Sequence, residues 1–299
     1  MVPTGKAIEE SVEFAYEVYN RVFGKISKLL GSEVLLHFEL ERQSEGTMIS
    51  EFTEFSYGFS LTQELMQSGG ASGYWAPYFP SLIKEGKAGG GYDVRIDRGR
   101  FLYLQFKLSE YMVGGPRGAG QEDVIALPYY RFWVTPRWLS KQHKMLVGLD
   151  QKGAEVYYAA PIFHTEDSLN SAFNSRTVAN NSAFFSPADI GYLQDDEWHC
   201  MVFRSDVPPG YFCSEPRETR RHTWEGLKEK MHRTEPCLIS EMATWLKELL
   251  NENQVNGLDS LLSVQVPEEE PLHSLAFIAR ASRLSLHAEV FFMPELKEA

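Results

Sequence analysis

The stretch GGYDVRIDRGRFLYLQFKLSEY, residues 90–111, decides the fold class because its residue types alternate with a period of two. Residues two apart in a strand share a face. One face of the predicted strand over 101–108 carries Leu102, Leu104, Phe106 and Leu108. The other face carries Phe101, Tyr103, Gln105 and Lys107. Residues 92–97 predict an antiparallel partner, with Asp97 to Arg100 as the hairpin turn.

The flanking residues predict an α/β unit around this hairpin. Residues 51–67 have helical periodicity and end at Gly69 and Gly70, a usual helix stop. The segment YYRFWV, 129–134, predicts a third strand, and Thr135 and Pro136 predict the start of a helix that stops before Gly153. The segment EVYYAAPIF, 155–163, predicts a last strand. The order is helix, strand, strand, strand, helix, strand.

The remaining residues give a coarser prediction. A helix over 7–30 and a strand over 34–40 form an N-terminal part, 1–47. A strand at 198–206, helices within 222–252 that break at Pro236, and a last helix and strand ending in AEVFFM form an α+β C-terminal region, 166–299, with no assigned role. Residues 48–165 are then the central core.

Composition and charge restrict the function classes. No run of 18 uncharged apolar residues and no secretory signal pattern occur, so we expect a cytoplasmic protein with no membrane partner. Three widely spaced cysteines fit neither a disulfide framework nor a zinc motif. Residues 84–152 hold twelve Lys or Arg against seven Asp or Glu, a local balance of +5 that leaves −17 for the rest of the net −12. The basic region favours an anionic partner.

The polar residues of the opening stretch suggest a chemistry. If hairpin pairing brings Asp93 near Gln105 and Lys107, two oxygen donors and an ammonium group meet at one place. Carboxylate and amide oxygens suit a hard cation such as Mg²⁺. An ammonium group can orient an attacking water and offset charge on a phosphorane. This set suits metal-assisted hydrolysis of a phosphodiester. The alternative interpretation is a solvated sheet face with no chemical role.

Asp93, followed twelve residues later by Gln105-Phe106-Lys107 within that order of elements, resembles the PD-(D/E)XK nucleases, in the variant with glutamine at the third motif position. The resemblance covers about 115 residues and implies a restriction-endonuclease-like core, a mixed sheet flanked by helices. The proline that usually precedes the aspartate is absent, because Gly90, Gly91 and Tyr92 stand there.

The resemblance implies the role of each site residue. Asp93 and Gln105 match metal ligands, the carbonyl of Phe106 matches a further ligand, and Lys107 matches the catalytic lysine. Such nucleases often carry a glutamate on the preceding helix. We expect Glu54 in that role, and Glu51, Glu64 and Glu85 are the alternatives. The implied cofactor is Mg²⁺ or Mn²⁺.

The implied function is a nuclease acting on DNA, with RNA as the alternative substrate, in restriction or antiviral defence. The resemblance also implies a homodimer, and the acidic C-terminal region suggests a protein partner. The competing hypothesis is a binding or scaffold protein with an idle site.

Three histidines are candidates for metal ligands or for a general base. His143, His164 and His199 match no metal-ligand spacing. For His143, which has Lys141 and Lys144 as close neighbours, we predict a surface side chain, with a phosphate contact as the alternative. His164 predicts a structural role, and Asp195 and His199 predict a polar turn before a strand.

Overall fold

A computed structural model describes residues 46–68, 76–77, 98–114, 121–206, 208–213, 216–255, 262–263 and 271–294. The chain divides into two compact units, residues 1–47 with 114–116, and residues 48–113 with 117–299. In the first unit the Gly114 amide donates to the Gly46 carbonyl at 3.3 Å. None of the helices in the described ranges is both long and apolar enough to cross a membrane. The predicted elements at 7–30, 34–40 and 92–97 lie outside the described residues.

The described elements are helices and strands interspersed along the chain. The helices are α1 (Glu54–Ser68), α2 (Gln121–Val124), α3 (Gln142–Gln151), α4 (Glu166–Ser175), α5 (Pro187–Ile190), α6 (Trp224–Arg233), α7 (Ile239–Glu252) and α8 (Pro271–Ala281), which continues into a π-helical segment, Ser282–Leu286. The strands are β1 (Thr47–Met48), β2 (Ala76–Pro77), β3 (Arg98–Phe106), β4 (Glu110–Met112), β5 (Tyr129–Val134), β6 (Glu155–Pro161), β7 (Ser182–Phe185), β8 (His199–Phe203), β9 (Gly210–Cys213), β10 (Arg217–Thr219), β11 (Cys237–Leu238) and β12 (Glu289–Pro294).

Strand β3 is the centre of a mixed sheet with the order β2-β12-β3-β6-β7. Strand β12 pairs with β3 antiparallel, from Leu104 opposite Glu289 to Gly99 opposite Pro294. Strand β6 pairs with the other edge in parallel, from Leu102 opposite Glu155 to Phe106 opposite Ala159. Strand β11 pairs antiparallel with the start of β3. The sheet therefore takes strands from both sides of residue 165.

A second, antiparallel sheet has the order β4-β5-β8-β9-β10. Its neighbouring strands β4 and β5 are joined by a buried ion pair. Arg131 on β5 lies opposite Glu110 on β4 and donates to the Glu110 carboxylate at 2.7 and 3.0 Å. Both residues are buried, and the Trp133 indole also donates to the Glu110 carboxylate at 3.3 Å. Because a lone buried charge is costly, removal of one partner destabilises a protein far more than exchange of both.

The two faces of β3 belong to two different parts of the core. The face with Leu102, Leu104 and Phe106 packs against α1, α4 and α6. The face with Phe101 and Tyr103 packs against α3, α7, α8 and the second sheet. The architecture is therefore a mixed α/β fold in which a mixed sheet is flanked by helices, as the alternation predicted.

The predicted hairpin is wrong at its turn. Residues 98–100 continue the strand, since the Arg98 and Arg100 guanidinium groups donate to the carbonyls of Pro236 and Thr234 and hold this end against the α6–β11 connection. Both edges of β3 are occupied by β12, β6 and β11 over the paired positions. The antiparallel neighbour of β3 is therefore β12, and the predicted partner at 92–97 lies outside the described residues.

Two other predictions in this region need correction. The helix after Tyr129–Val134 begins at Gln142 instead of Pro136, because residues 136–140 form a turn in which Leu139 and Ser140 donate to the Pro136 carbonyl. The third predicted strand, β5, lies in the second sheet and not beside β3. The predictions of α1, β5, β6, β8, α6, α7, α8 and β12 are confirmed as elements.

Gly99 gives a test of this packing. A Cβ atom there would overlap the Phe292 ring and lie 2.5 Å from the Met293 carbonyl oxygen. We expect Gly99→Ala to lower the free energy of unfolding by about 1–3 kcal/mol through overpacking. Urea unfolding measures the effect. Gly226→Ala is the control, because its Cβ would meet only Thr223 Oγ1 at 3.3 Å on a helix that prefers Ala. Equal stability of the two variants would contradict the packing.

Candidate functional site

Lys107 lies directly after β3, at the edge where β6 runs parallel. Its amide donates to the Ala159 carbonyl at 2.9 Å, which continues the β3–β6 pairing by one residue. The side chain is partly buried, and its Nζ lies 5.5 Å from the ring centroid of Tyr158. A cation over an aromatic face is attracted to it. Burial lowers the pKa of Lys107, and the charge of Glu54 opposes that shift.

Glu54 is the first residue of α1. The Thr53 hydroxyl accepts a hydrogen bond from the Ser56 amide at 3.1 Å, so a threonine caps the helix and places Glu54 in its first turn, where a negative charge is favoured. The Glu54 residue as a whole is exposed, but neighbouring protein atoms surround its carboxyl group. The resulting desolvation raises the pKa of that carboxyl group. The charge of Lys107 lowers the pKa of the same group. Glu54 and Lys107 therefore stabilise each other's charged forms.

Gln105 occupies the strand position two residues before Lys107 and shares its face. The residue is 3% exposed and its Cα lies opposite that of Tyr158 in the β3–β6 register. Its side-chain oxygen is buried and accepts no hydrogen bond from the described residues. A buried acceptor without a partner costs about 1–3 kcal/mol. An amide oxygen of this kind is able to accept a hydrogen bond or to bind a cation.

Tyr158 connects Lys107 to a buried histidine. The His143 Nε2 lies 2.7 Å from the Gly191 carbonyl and Nδ1 lies 2.7 Å from the Tyr158 hydroxyl. Because a carbonyl only accepts, Nε2 carries the proton, and Nδ1 of the neutral ring accepts from the tyrosine. Burial is the main cause that lowers the pKa of His143 to about 4; the hydrogen bond to the Gly191 carbonyl opposes the shift, and the charges of Lys107 and His199 add to it. His143 is 3% exposed, so the prediction of a surface side chain is wrong.

The charge of Lys107 reaches a further group that the sequence did not indicate. His287 follows the π-helical segment with φ of 47°, and burial and Lys107 both lower its pKa. Glu54, His143 and His287 come from three separate elements and all respond to the same ammonium group. We call Glu54, Gln105, Lys107, His143, Tyr158 and His287 the Lys107 cluster. No local pattern marks Tyr158 or His287, since their proximity depends on the pairing of distant strands.

The structure separates the glutamates that the sequence left open. Glu51 accepts from the Glu166 amide at 2.9 Å at the start of α4. Glu64 accepts from the Val178 and Ala179 amides at 2.6 and 3.3 Å. Both carboxylates therefore hold backbone in place. Only Glu54 of these three is coupled to Lys107. Glu85 and Asp93 lie outside the described residues.

The other two histidines have structural contacts. His164 stacks on Tyr111 with ring centroids 4.7 Å apart, and its carbonyl accepts from the Glu51 amide. His199 begins β8 and pairs with Asp195 at 2.8 Å, while Asp195 also accepts from the Glu197 amide. The predicted polar turn before the strand at Asp195 and His199 is confirmed, and the structural role of His164 stays a prediction.

The described residues of the Lys107 cluster include oxygen atoms, the donor type that a hard cation prefers. They offer the buried Gln105 oxygen and the Glu54 carboxylate, and oxygen donors are those that Mg²⁺ prefers. Within the described ranges no group of three or more His, Cys, Asp or Glu residues is arranged to hold a metal. Asp93, the carboxylate that the sequence predicts as a further ligand, lies outside those ranges.

Comparison of the chain with family models, curated proteins and solved structures finds no match in any of the three. The assignment of a function therefore depends on the chemistry of the Lys107 cluster.

The depressed pKa of His143 predicts a loss of stability in acid. In the unfolded chain a histidine has a pKa of about 6.5. Since the native pKa is about 4, the unfolded state takes up the proton first, and stability falls as pH drops from about 6.5 toward 4. Between pH 7.5 and pH 5 we expect His143 to account for about 2 kcal/mol of lost unfolding free energy. Urea unfolding across this range measures the slope.

The matched comparison is His143→Gln. His164, His222 and His287 also have lowered pKa values, so they give both proteins a common background slope. The variant should lose about 2 kcal/mol less than the wild type over the same range. Identical pH profiles would show that His143 is not buried as a neutral ring.

Proposed function

We propose that this protein is a Mg²⁺-dependent nuclease that hydrolyses phosphodiester bonds in DNA, built on a restriction-endonuclease-like core around strand β3. The observation that carries the proposal is the buried Gln105 oxygen, which has no partner among the described residues, two residues before a partly buried lysine. A strand that served only the core would place an apolar residue there. The mixed sheet flanked by helices is consistent with such a core.

The residues have separate roles in the proposed site. Asp93, Gln105, the Phe106 carbonyl and Glu54 would hold the metal. A bound Mg²⁺ supplies a Lewis acid that polarises the phosphodiester and acidifies a bound water. Lys107 orients the attacking water and offsets the negative charge that develops on the phosphorane. A bond forms between the water oxygen and phosphorus, the bond to the leaving sugar oxygen breaks, and that oxygen takes up a proton.

The environment of Lys107 suits this role. Burial favours its neutral amine, and Glu54 favours its charged form. The two effects oppose each other, so the amine can exchange a proton more readily than an exposed lysine. The Tyr158 ring holds the ammonium group on the Gln105 face of the sheet.

DNA is the favoured substrate, with RNA as the alternative, because residues 84–152, which include Gln105 and Lys107, hold more Lys and Arg than Asp and Glu. We extend the proposal to a cytoplasmic enzyme of restriction or antiviral defence that acts as a homodimer. The acidic C-terminal region would contact a protein partner.

Cleavage assays test the activity directly. Plasmid, linear and single-stranded DNA and RNA are incubated with Mg²⁺ or Mn²⁺, with and without a chelator. We expect Lys107→Met and Asp93→Asn to lower the cleavage rate at least about 100-fold, since they remove proton transfer and metal binding. Lys152→Ala is the control, because Lys152 is exposed and follows the last residue of α3, at the end of that helix opposite His143. Unchanged cleavage by Lys107→Met would contradict the proposal.

Gln105→Met separates function from fold. Methionine has a similar length and no acceptor that needs a partner, so the variant should gain about 1 kcal/mol of unfolding free energy. It should also lose Mn²⁺ binding, measured by calorimetry, and cleavage. A variant that is more stable and still binds Mn²⁺ would show that the Gln105 oxygen is no ligand. Absence of cleavage and of Mn²⁺ binding in the wild type would favour the binding-protein hypothesis.

A further inference from the structure

A cavity of about 430 Å³ lies at the start of α3, and His143 is one of its lining residues. It is open to one side and bordered by the turn that precedes α3, the first turn of that helix and the segment after α5. We call it the basic cavity, because Arg137, Lys141 and Lys144 line it and no described acidic residue does. Its volume lies in the range of small-molecule sites, about 300–1000 Å³.

The positive charges of the basic cavity are only partly compensated. Arg137 pairs with Asp196 at 2.6 Å, and Asp195 also acts on it, so its charge is largely balanced. Lys141 donates to the Asn253 carbonyl at 2.6 Å, a neutral acceptor that leaves its charge in place. Lys144 is exposed and makes no ion pair or side-chain hydrogen bond with any residue in the described ranges. Two ammonium groups therefore face one cavity without acidic partners.

Neutral donors and an aromatic face complete the lining. The Ser140 hydroxyl accepts from the Gln142 amide at 3.1 Å, so its own proton can be donated to a ligand. Tyr192 also lines the cavity, and its hydroxyl donates to Gln151 at 3.1 Å. Leu193 adds an aliphatic surface beside it. Planar bases stack on such aromatic faces.

We propose that the basic cavity binds a nucleotide through its terminal phosphate and its base. Lys141, Lys144 and Ser140 would hold the phosphate, and Tyr192 would stack on the base. A bare phosphate would leave most of the volume and the Tyr192 and Leu193 surface unused. The ligand can be a free nucleotide or the phosphorylated end of a nucleic-acid chain, which have the same chemistry. Binding here needs no metal and does not depend on the proposed cleavage.

Calorimetry on the full chain without divalent metal tests this site. The probes are adenosine monophosphate, adenosine and inorganic phosphate at low salt. The monophosphate should bind at least about tenfold more tightly than adenosine, because charge-assisted hydrogen bonds to phosphate are strong. Lys144→Ala should weaken monophosphate binding about tenfold and leave adenosine unchanged. Lys152→Ala, at the other end of α3, should match the wild type.

Two tyrosine variants test the base contact. Tyr192→Ala should reduce the affinity for the monophosphate toward that for inorganic phosphate, whereas Tyr192→Phe keeps the ring and should bind as the wild type does. Equal binding of adenosine and its monophosphate, an unchanged Lys144→Ala, or no binding at millimolar monophosphate would each overturn the proposal. Thermal unfolding confirms that the variants are folded.

A trinucleotide with a 5′-phosphate or a 5′-hydroxyl distinguishes the two ligand sources. If the phosphorylated trinucleotide binds at least as tightly as the monophosphate, the cavity takes a chain end. If the cavity excludes the trinucleotide and binds the monophosphate, it takes free nucleotides. Because the assay contains no metal, a failed cleavage experiment would leave these results unchanged.

Discussion

The pairing of β3 on both edges is the constraint on which the rest of the structure depends. Strand β12 occupies one edge and β6 and β11 the other, so the backbone polar groups of β3 are satisfied within the sheet. Fixed pairing also fixes which side chains point to each face. A shift by one residue would turn Gln105 toward α1 and place Phe106 beside Tyr158. The candidate site thus exists in only one register.

The Lys107 cluster combines groups that the core would not choose for its own stability. A buried amide oxygen without a partner among the described residues and a lysine with a lowered pKa both carry a free-energy cost. The neutral His143 and the Tyr158 ring lie near them without supplying a negative charge. In the described part of the chain the opposite charge comes from Glu54, at the start of a helix. Local departures from good packing of this kind concentrate at functional sites.

Periodicity predicted the elements well and their partners poorly. The alternation of residues 101–108 gave the two faces of β3 correctly, because burial on each face selects for it. The Asp-Arg-Gly-Arg sequence predicted a turn, whereas Gly99 serves the close approach of Phe292 and Met293. The antiparallel neighbour of β3 comes from residues 289–294, and no local signal encodes that pairing. Gln105 and Lys107 could be predicted as a pair on one face, but Tyr158, His143 and His287 could not.

The position of β12 has a consequence for synthesis of the chain. Glu289 follows its partner Leu104 by 185 residues, and translation at about 5–20 residues per second needs roughly 10–40 s to make them. During that interval one edge of β3, rich in apolar side chains, has no strand beside it. Unpaired edges of this kind join other chains readily. A nascent chain of this protein therefore needs shielding until β12 emerges, and truncation before residue 289 would make that exposed state permanent.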